Sequence, residues 1–540
     1  MTDKKTKKAP LVGPIRHNLE AFGVAILAAV LLKWFCVEAY QIPTSSMQPT
    51  LMGSNEAAVY DRILVNKWIQ TIREPHRWDI TVFKYPLQKN QNYVKRIGGM
   101  PNDRIAIRGG NVYRVEGTGA SAKYTVHRKP DDLQEDMWKN VFPLRMQARS
   151  ESKALGDVFA ASPSRAATET DDGFVLDPNG RKARLYFRDK TDGGMIDRVW
   201  DGYPAEVARQ IREKNVGNGY QQEIVPDVRI SADVSFDGTP DEFVIEVEVL
   251  RPALDLRSYA LVARNGEGIL EVRGKGQSSL GASEPFALAI DGTPRKVVFA
   301  RVDDMLIASI DGDELQRFDC SEWPTLEGCK LPAGAEAPTN QRAIPQFRCT
   351  GKGKVTLANV RIDRDQHYQQ DNAPDIIEVP DGHYYMLGDN TLQSIDSRGW
   401  TAITIGVDKD DNVVPHDSPE AVRTIRGNKR PMRLADAPDR DETPIAIPSK
   451  NAIVMIDEYG EILRLKGQVG ADWPTRVSFR HPNAQDGSGE WDALDTTNTE
   501  GISFVPRRDI EGRALMVFYP FRPISWLFGS AWPDRFGFVR

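Results

Sequence analysis

The sequence predicts a mainly β chain with a β-sandwich near its centre and one transmembrane helix near its N-terminus. Three observations carry this expectation. Apolar–polar alternation broken by turn residues recurs over residues 220–368. An apolar segment follows a basic tail within the first forty residues. The chain has 540 residues, too many for one core, and length alone suggests about three or four domains.

The N-terminal reading rests on charge asymmetry. Lys4, Lys5, Lys7, Lys8 and Arg16 face only Asp3 and Glu20, so residues 1–18 are read as a cytoplasmic tail. Leu19 to Tyr40 as one helix would measure about 33 Å at about 1.5 Å per residue, enough to span a bilayer. Lys33 could snorkel, and Trp34 and Tyr40 suit an interface. The competing reading is a cleaved signal peptide, because Val37-Glu38-Ala39 loosely resembles a cleavage site.

The central reading rests on local pattern. Val297 to Val302 and Met305 to Ile310 flank Asp303-Asp304 as a hairpin, and Asp311-Gly312 turns the chain again. Phe243 to Leu250 alternates apolar and acidic residues, and Val355 to Ile362 reads as a closing strand. The spacing suggests a jelly-roll-like, concanavalin-A-like sandwich. Trp323 could stack on a sugar, but packing is the commoner role. Residues 121–215 are polar and carry no clear element, and 408–452 read as an extended, solvated loop.

Composition narrows the classes. Hydrophobic residues at 40% and charged residues at 27% exclude wholesale disorder. A net charge of −6 argues against nucleic acid as a partner. Cys36, Cys320, Cys329 and Cys349 contain no C-x-x-C pair, which argues against a zinc knuckle or a thioredoxin-type site. If the later region is exported, one disulfide among the last three fits and leaves a spare thiol. No metal or cofactor is expected.

Three stretches carry chemistry. The first is Gln41-Ile42-Pro43-Thr44-Ser45-Ser46-Met47-Gln48-Pro49-Thr50-Leu51, directly after the apolar segment. The second runs from Trp78-Asp79 through Tyr93-Val94-Lys95-Arg96-Ile97-Gly98-Gly99 to Met100-Pro101-Asn102-Asp103. The third is Gly388-Asp389-Asn390 followed by Ser394-Ile395-Asp396-Ser397-Arg398. A serine hydroxyl needs a neighbouring base to become a nucleophile. A lysine serves only when neutral, which requires burial, and Tyr93, Val94 and Ile97 supply bulk around Lys95. On a strand, Lys95 shares a face with Tyr93 and Ile97. Each residue also has a plain alternative: Ser46 as a turn serine, Ser45 as the nucleophile instead, Lys95-Arg96 as a solvated basic edge, Asp396 and Arg398 as a surface ion pair. His383, just before the third stretch, is read as structural.

In residues and order, these stretches resemble the boxes of type I signal peptidases, serine–lysine proteases of the S26 family. The resemblance covers residues 41–115, 380–402 and 500–540. It implies an all-β catalytic domain of the signal-peptidase type, assembled from those segments. Residues 116–379 would be a first insertion containing the sandwich at 220–368, and 403–499 a second. It implies Ser46 as nucleophile and Lys95 as base, with Ser394 orienting the lysine. Asp396 and Arg398 would form a supporting ion pair, and Asp389 would sit beside the site. The Ser46 N–H and the Thr44 hydroxyl would form the oxyanion hole. Ile42, Leu51, Tyr93 and Val94 would line shallow pockets for small residues, as in Ala-x-Ala. The implied substrates are signal peptides of exported preproteins, cut at the outer face of the plasma membrane, with the bilayer as a partner and the secretion translocon as a candidate one. The ligand of the sandwich is unknown.

The chain departs from the family pattern at several positions. Ser45, Trp78 and Asn102 stand where glycine is frequent, Thr44 where relatives often carry serine, and Ile395 where some carry a small residue. Asparagine suits a left-handed turn, so Asn102 is readily accommodated. The C-terminal cluster Trp526, Leu527, Phe528 and Trp532 is too short to span and could lie on the interface or pack inside. Two rivals stand against this reading: a self-cleaving protease of the repressor type, and a catalytically silent envelope-binding protein.

Overall fold

The computed structural model describes residues 14–31, 36–54, 59–144, 158–188, 194–203, 223–250, 256–323, 342–370, 373–400, 402–428, 445–447, 451–459, 461–469, 478–480, 491–492, 494–495, 504–521 and 537–539. Strands Ile80–Tyr85 and Gln88–Gly99 pair antiparallel, setting Thr81 opposite Lys95 and Phe83 opposite Tyr93. They sit within a nine-stranded sheet. Its order is Val37–Gln41, Val59–Asn66, Ile510–Phe521, Ile80–Tyr85, Gln88–Gly99, His383–Leu387 and Phe504–Pro506, with two short strands added at its sides. Strands distant in sequence thus become neighbours: Met386 faces Ile97 across one ladder, and Arg513 faces Thr81 across another. One core cluster contains Ile42, Met47, Leu51, Ile63 and Val82, and a separate one contains Phe83, Ile97, Met386 and Trp400.

The N-terminal expectation needs correction. The helix spans Pro14–Leu31, not 19–40. Val37–Gln41 is a strand, with Val37 opposite Asn66 and Gln41 opposite Arg62. The sheet edge satisfies this backbone, and Glu38 pairs with Lys67 at 3.1 Å, so these residues gain more from the sheet than from a longer helix. Among the described residues no helix is long and apolar enough to cross a membrane. Leu19, Phe22, Val24 and Leu27 of the helix are exposed. Lys33, Trp34 and the C-terminal aromatic cluster lie outside the described residues.

Two eight-stranded antiparallel sheets follow the first chemical stretches and share one large core. The first contains Pro240–Leu250, Leu256–Arg264 and Arg342–Gly351, the second Val228–Asp237, Arg295–Val302 and Lys354–Arg364. Phe243, Ile245 and Val247 from one meet Ile230, Val234 and Phe299 from the other in that core. The Asp303-Asp304 hairpin forms as read, with both residues at positive φ (49° and 56°), as this type of two-residue turn requires. Strands Lys139–Phe142, Phe159–Ser162 and Gly173–Leu176 join the same sheets, although at four residues each they are too short to show an alternating pattern within the polar stretch around them. Cys320 and Cys349 are buried free thiols, and Cys329 lies outside the described residues. Trp323 stacks on Phe318, with ring centroids 6.1 Å apart, and its ring lies against Gly281.

The solvated loop expected over 408–452 is also corrected. Val413–Val414, Arg423–Asn428 and Ile445–Ile447 are strands, and Val413 and Ile425 pack with Ile403, Ile405, Met455 and Phe479 in a core of their own. Short strands among many charged residues leave only isolated apolar positions, so the pattern cannot be seen until distant strands meet.

Candidate active site

Ser46 lies in the single-turn helix Ser45–Met47, entered from Thr44 in an extended conformation. Met47, fully buried, anchors this turn in the core. Lys95 comes from the neighbouring long strand, and its Nζ lies 2.5 Å from Ser46 Oγ. Its side chain is only 2% exposed. Burial pushes the amine down to about 8; Asp396 and Asp389 pull it back up, while Arg398 pushes it down further.

The third stretch wraps this pair. Asp396 accepts from Gly388 N–H at 2.8 Å, from Ser394 Oγ at 2.9 Å, and from Arg398 Nε and Nη2 at 2.8 and 2.7 Å. The ion pair is buried on both sides, unlike the surface pair that sequence alone allows. Burial would raise the Asp396 carboxyl, but Arg398 holds it below the ordinary value. The Ser394 hydroxyl donates to Asp396 rather than to Lys95. It also fills the space where a Cβ on Gly388 would go, beside the Ser46 carbonyl. Any larger residue at 388 would push the two stretches apart.

Asp389 is equally buried and takes a bidentate pair from Arg96, with Nε at 2.9 Å and Nη2 at 2.7 Å; Thr50 Oγ1 donates to it at 2.6 Å. Burial raises this carboxyl and the guanidinium more than reverses it. Asn390 then reaches the nucleophile turn: its N–H donates to the Ser46 carbonyl at 3.1 Å and its amide to the Ser45 carbonyl at 2.9 Å. Arg96, Thr50 and Asn390 were not singled out from the sequence. Arg96 follows Lys95 on a strand buried on both faces, and that double burial was the missing signal.

A groove of about 480 Å³ runs past the pair, lined among others by Ile42, Thr44, Ser46, Tyr93, Val94, Lys95 and Ile395. Leu51 is not among its walls; it is fully buried in the core beneath. Thr44 is exposed in the groove and its hydroxyl does not cap the turn. Among the described residues no hydrogen bond engages the Ser46 N–H. His383 stands apart, with Nδ1 2.8 Å from the Asp381 carbonyl oxygen. Asn102 has φ 65°, the left-handed turn its identity suggested, and Trp78 has φ 73°. Elsewhere the carboxylates of Asp227, Asp303 and Asp365 converge, and each has a cation against it, Lys129 beside Asp303 and Asp365 and Arg301 beside Asp227.

The structure thus sets a buried lysine against a serine on a β scaffold, beside an open groove. A family model described as signal peptidase, peptidase S26, matches residues 15–169 and 326–416. Signal peptidase I P of Bacillus subtilis subsp. natto is 31% identical over 138 residues, covering 25% of this chain and 68% of that protein. Signal peptidase I of Pseudomonas aeruginosa is 38% identical over 114 residues, covering 19% of this chain and 37% of that one. The chain belongs to the type I signal peptidase family. It spans about a third of the length of the first relatives it matches, 37% of each of the two Pseudomonas proteins. Among solved structures, sheep galectin-11 in complex with glycerol covers 26% of this chain and 91% of its own length at 10% identity and TM-score 0.17. A family 7 alginate lyase, A1-II′, covers 38% and 84% at 10% identity and TM-score 0.24. At those scores neither carries an argument.

Proposed function

We propose that this protein removes signal peptides from exported preproteins, with Ser46 as nucleophile and neutral Lys95 as its general base. The contact of 2.5 Å between Lys95 Nζ and Ser46 Oγ, with the lysine buried, carries this reading. Ser46 attacks the carbonyl carbon of the residue before the cut while Lys95 takes its proton. The tetrahedral oxyanion receives the Ser46 N–H and the Thr44 hydroxyl. Collapse releases the new N-terminus, with its proton supplied by Lys95, and leaves an acyl-enzyme. A water deprotonated by Lys95 then frees the leader and regenerates the serine. Ser394, Asp396 and Arg398 support the lysine through the Asp396 carboxylate, and Asp389 holds the strand beyond it through Arg96. Substrate lies extended in the groove, where Ile42, Tyr93, Val94 and Ile395 narrow the space for side chains and favour Ala-x-Ala.

The two-sheet region is read as a jelly-roll-like insertion into a catalytic domain drawn from three separated segments. The exposed apolar helix Pro14–Leu31 is read as the membrane-seating element, which would hold the groove at the outer face of the plasma membrane. The test of the peptidase is direct. Detergent-solubilised protein and its Ser46→Ala variant are incubated with an Ala-x-Ala preprotein, and the product N-terminus is read. Cleavage after the second alanine by the wild type alone is expected; equal products from both, or none from the wild type, would sink the proposal.

A further inference from the structure

The two-sheet region does more than sit beside the site, because its side chains enter the loop that sets the nucleophile. Lys139 begins the strand Lys139–Phe142, which pairs with Lys354–Arg364. Its buried Nζ donates to the Asp389 carbonyl at 2.9 Å, and Gln366 Nε2 donates to the same oxygen at 2.9 Å. Tyr203, 2% exposed, donates to Gln48 Oε1 at 2.6 Å, and the Asn390 amide comes within 3.5 Å of the same phenol oxygen. Gln48 follows the nucleophile turn directly and ties itself to the Gly53 carbonyl at 2.7 Å.

The connections therefore converge from two sides. One runs from Lys139 and Gln366 to the Asp389–Asn390 backbone, and from Asn390 to the Ser45 and Ser46 carbonyls. The other runs from Tyr203 to Gln48 at the exit of the turn. Burying a lysine to serve one carbonyl is costly, and here burial together with Arg364 pushes that amine down to about 7. A carbonyl held by two donors cannot tilt without stranding a buried polar group. The loop is fixed from outside the catalytic sheet.

We propose that Lys139 and Tyr203 are positioning residues for the serine–lysine pair, making the two-sheet insertion a working part of the catalytic apparatus. This rests on the peptidase reading above. Proton transfer needs the serine oxygen within hydrogen-bond reach of the base, and a displacement of about 1 Å costs up to about a hundredfold. Loss of these ties should therefore lower kcat and leave the open groove, and so KM, alone.

The experiment measures steady-state cleavage of an Ala-x-Ala preprotein by full-length wild type, Lys139→Met, Lys139→Arg, Tyr203→Phe and Val247→Ala. Lys139→Met is expected to lose about tenfold or more in kcat and Tyr203→Phe about threefold, with KM within about twofold of wild type. Lys139→Arg keeps a donor, has a cleft of about 300 Å³ beside it to grow into, and should recover most of the loss. Val247, in the insertion core, should lower the melting temperature as alanine and leave kcat intact. Unchanged kcat in both Lys139→Met and Tyr203→Phe would overturn the assignment. So would a loss in Val247→Ala as large as that in Lys139→Met, because general destabilisation would then explain it. If Lys139→Met does not fold, Tyr203→Phe, which removes one hydroxyl, decides alone. A wild type that cleaves nothing refutes the peptidase reading itself, and this assignment falls with it; active wild type with unaffected variants refutes only the positioning role.

Discussion

Titrating Lys95 through its shifted range should control the rate. The amine stands at about 8 instead of its ordinary 10.5, chiefly because it is buried. Only the neutral form accepts the serine proton, so the active fraction is about a hundredth at pH 6, about a tenth at pH 7 and about half at pH 8. An unshifted lysine would be about 0.3% neutral at pH 8, so burial enriches the working form roughly 150-fold there. Initial rates of preprotein cleavage, with substrate below KM and ionic strength fixed, should rise about tenfold from pH 6 to 7 and level off above 8. A profile flat from pH 6 to 8, or one still climbing at unit slope toward 10, would refute the argument. The same shift has a stability consequence. The folded amine loses its proton near 8 and the unfolded one near 10.5, so stability rises with pH between those values and the full penalty is present below 8. That penalty is about 3 kcal/mol as an upper bound. Lys95→Met should therefore be inactive yet melt higher than wild type at pH 7.

Two further outcomes follow from the geometry. Trp78→Gly relieves a left-handed backbone, worth about 1–2 kcal/mol, but removes a buried indole stacked 6.3 Å from Tyr368, worth about 3–5 kcal/mol. Denaturant melts should show a net loss of about 1–4 kcal/mol, and a gain would mean that backbone strain dominates. Phe22→Asp with Val24→Asp on the exposed helix should cut flotation of the full chain with anionic vesicles several-fold, each side chain having about 1.5–3 kcal/mol to contribute on burial; unchanged flotation would exclude this helix as the membrane-seating element.

The sequence made the Ser46, Lys95 and Asp396–Arg398 stretches legible because their chemistry needs fixed residue types at short spacing. Asn102 and the Asp303-Asp304 turn were legible for the same local reason: positive φ restricts which residues fit. Other features escaped because they belong to no local pattern. Arg96 and Lys95 are consecutive, yet both are buried, and only a strand covered on both faces permits that. Leu51 looked like a pocket wall beside Ser46, but its side chain points into the core. The strands at 139–176 and 413–447 are mostly two to four residues long, too short to show a period, and their apolar side chains gain a core only where the sheets assemble.

Local order and residue chemistry thus determined which groups were candidates to react, since the proposed nucleophile and base and the ion pair are written in short contiguous boxes. The tertiary structure decided what holds them. Val37–Gln41 became a sheet edge because Val59–Asn66 offered it backbone partners. Lys139 and Gln366 met the Asp389 carbonyl from 250 and 23 residues away, and Tyr203 met Gln48 from 155. Hydrogen bonds across such separations depend on where whole sheets pack, and no window of sequence contains that information.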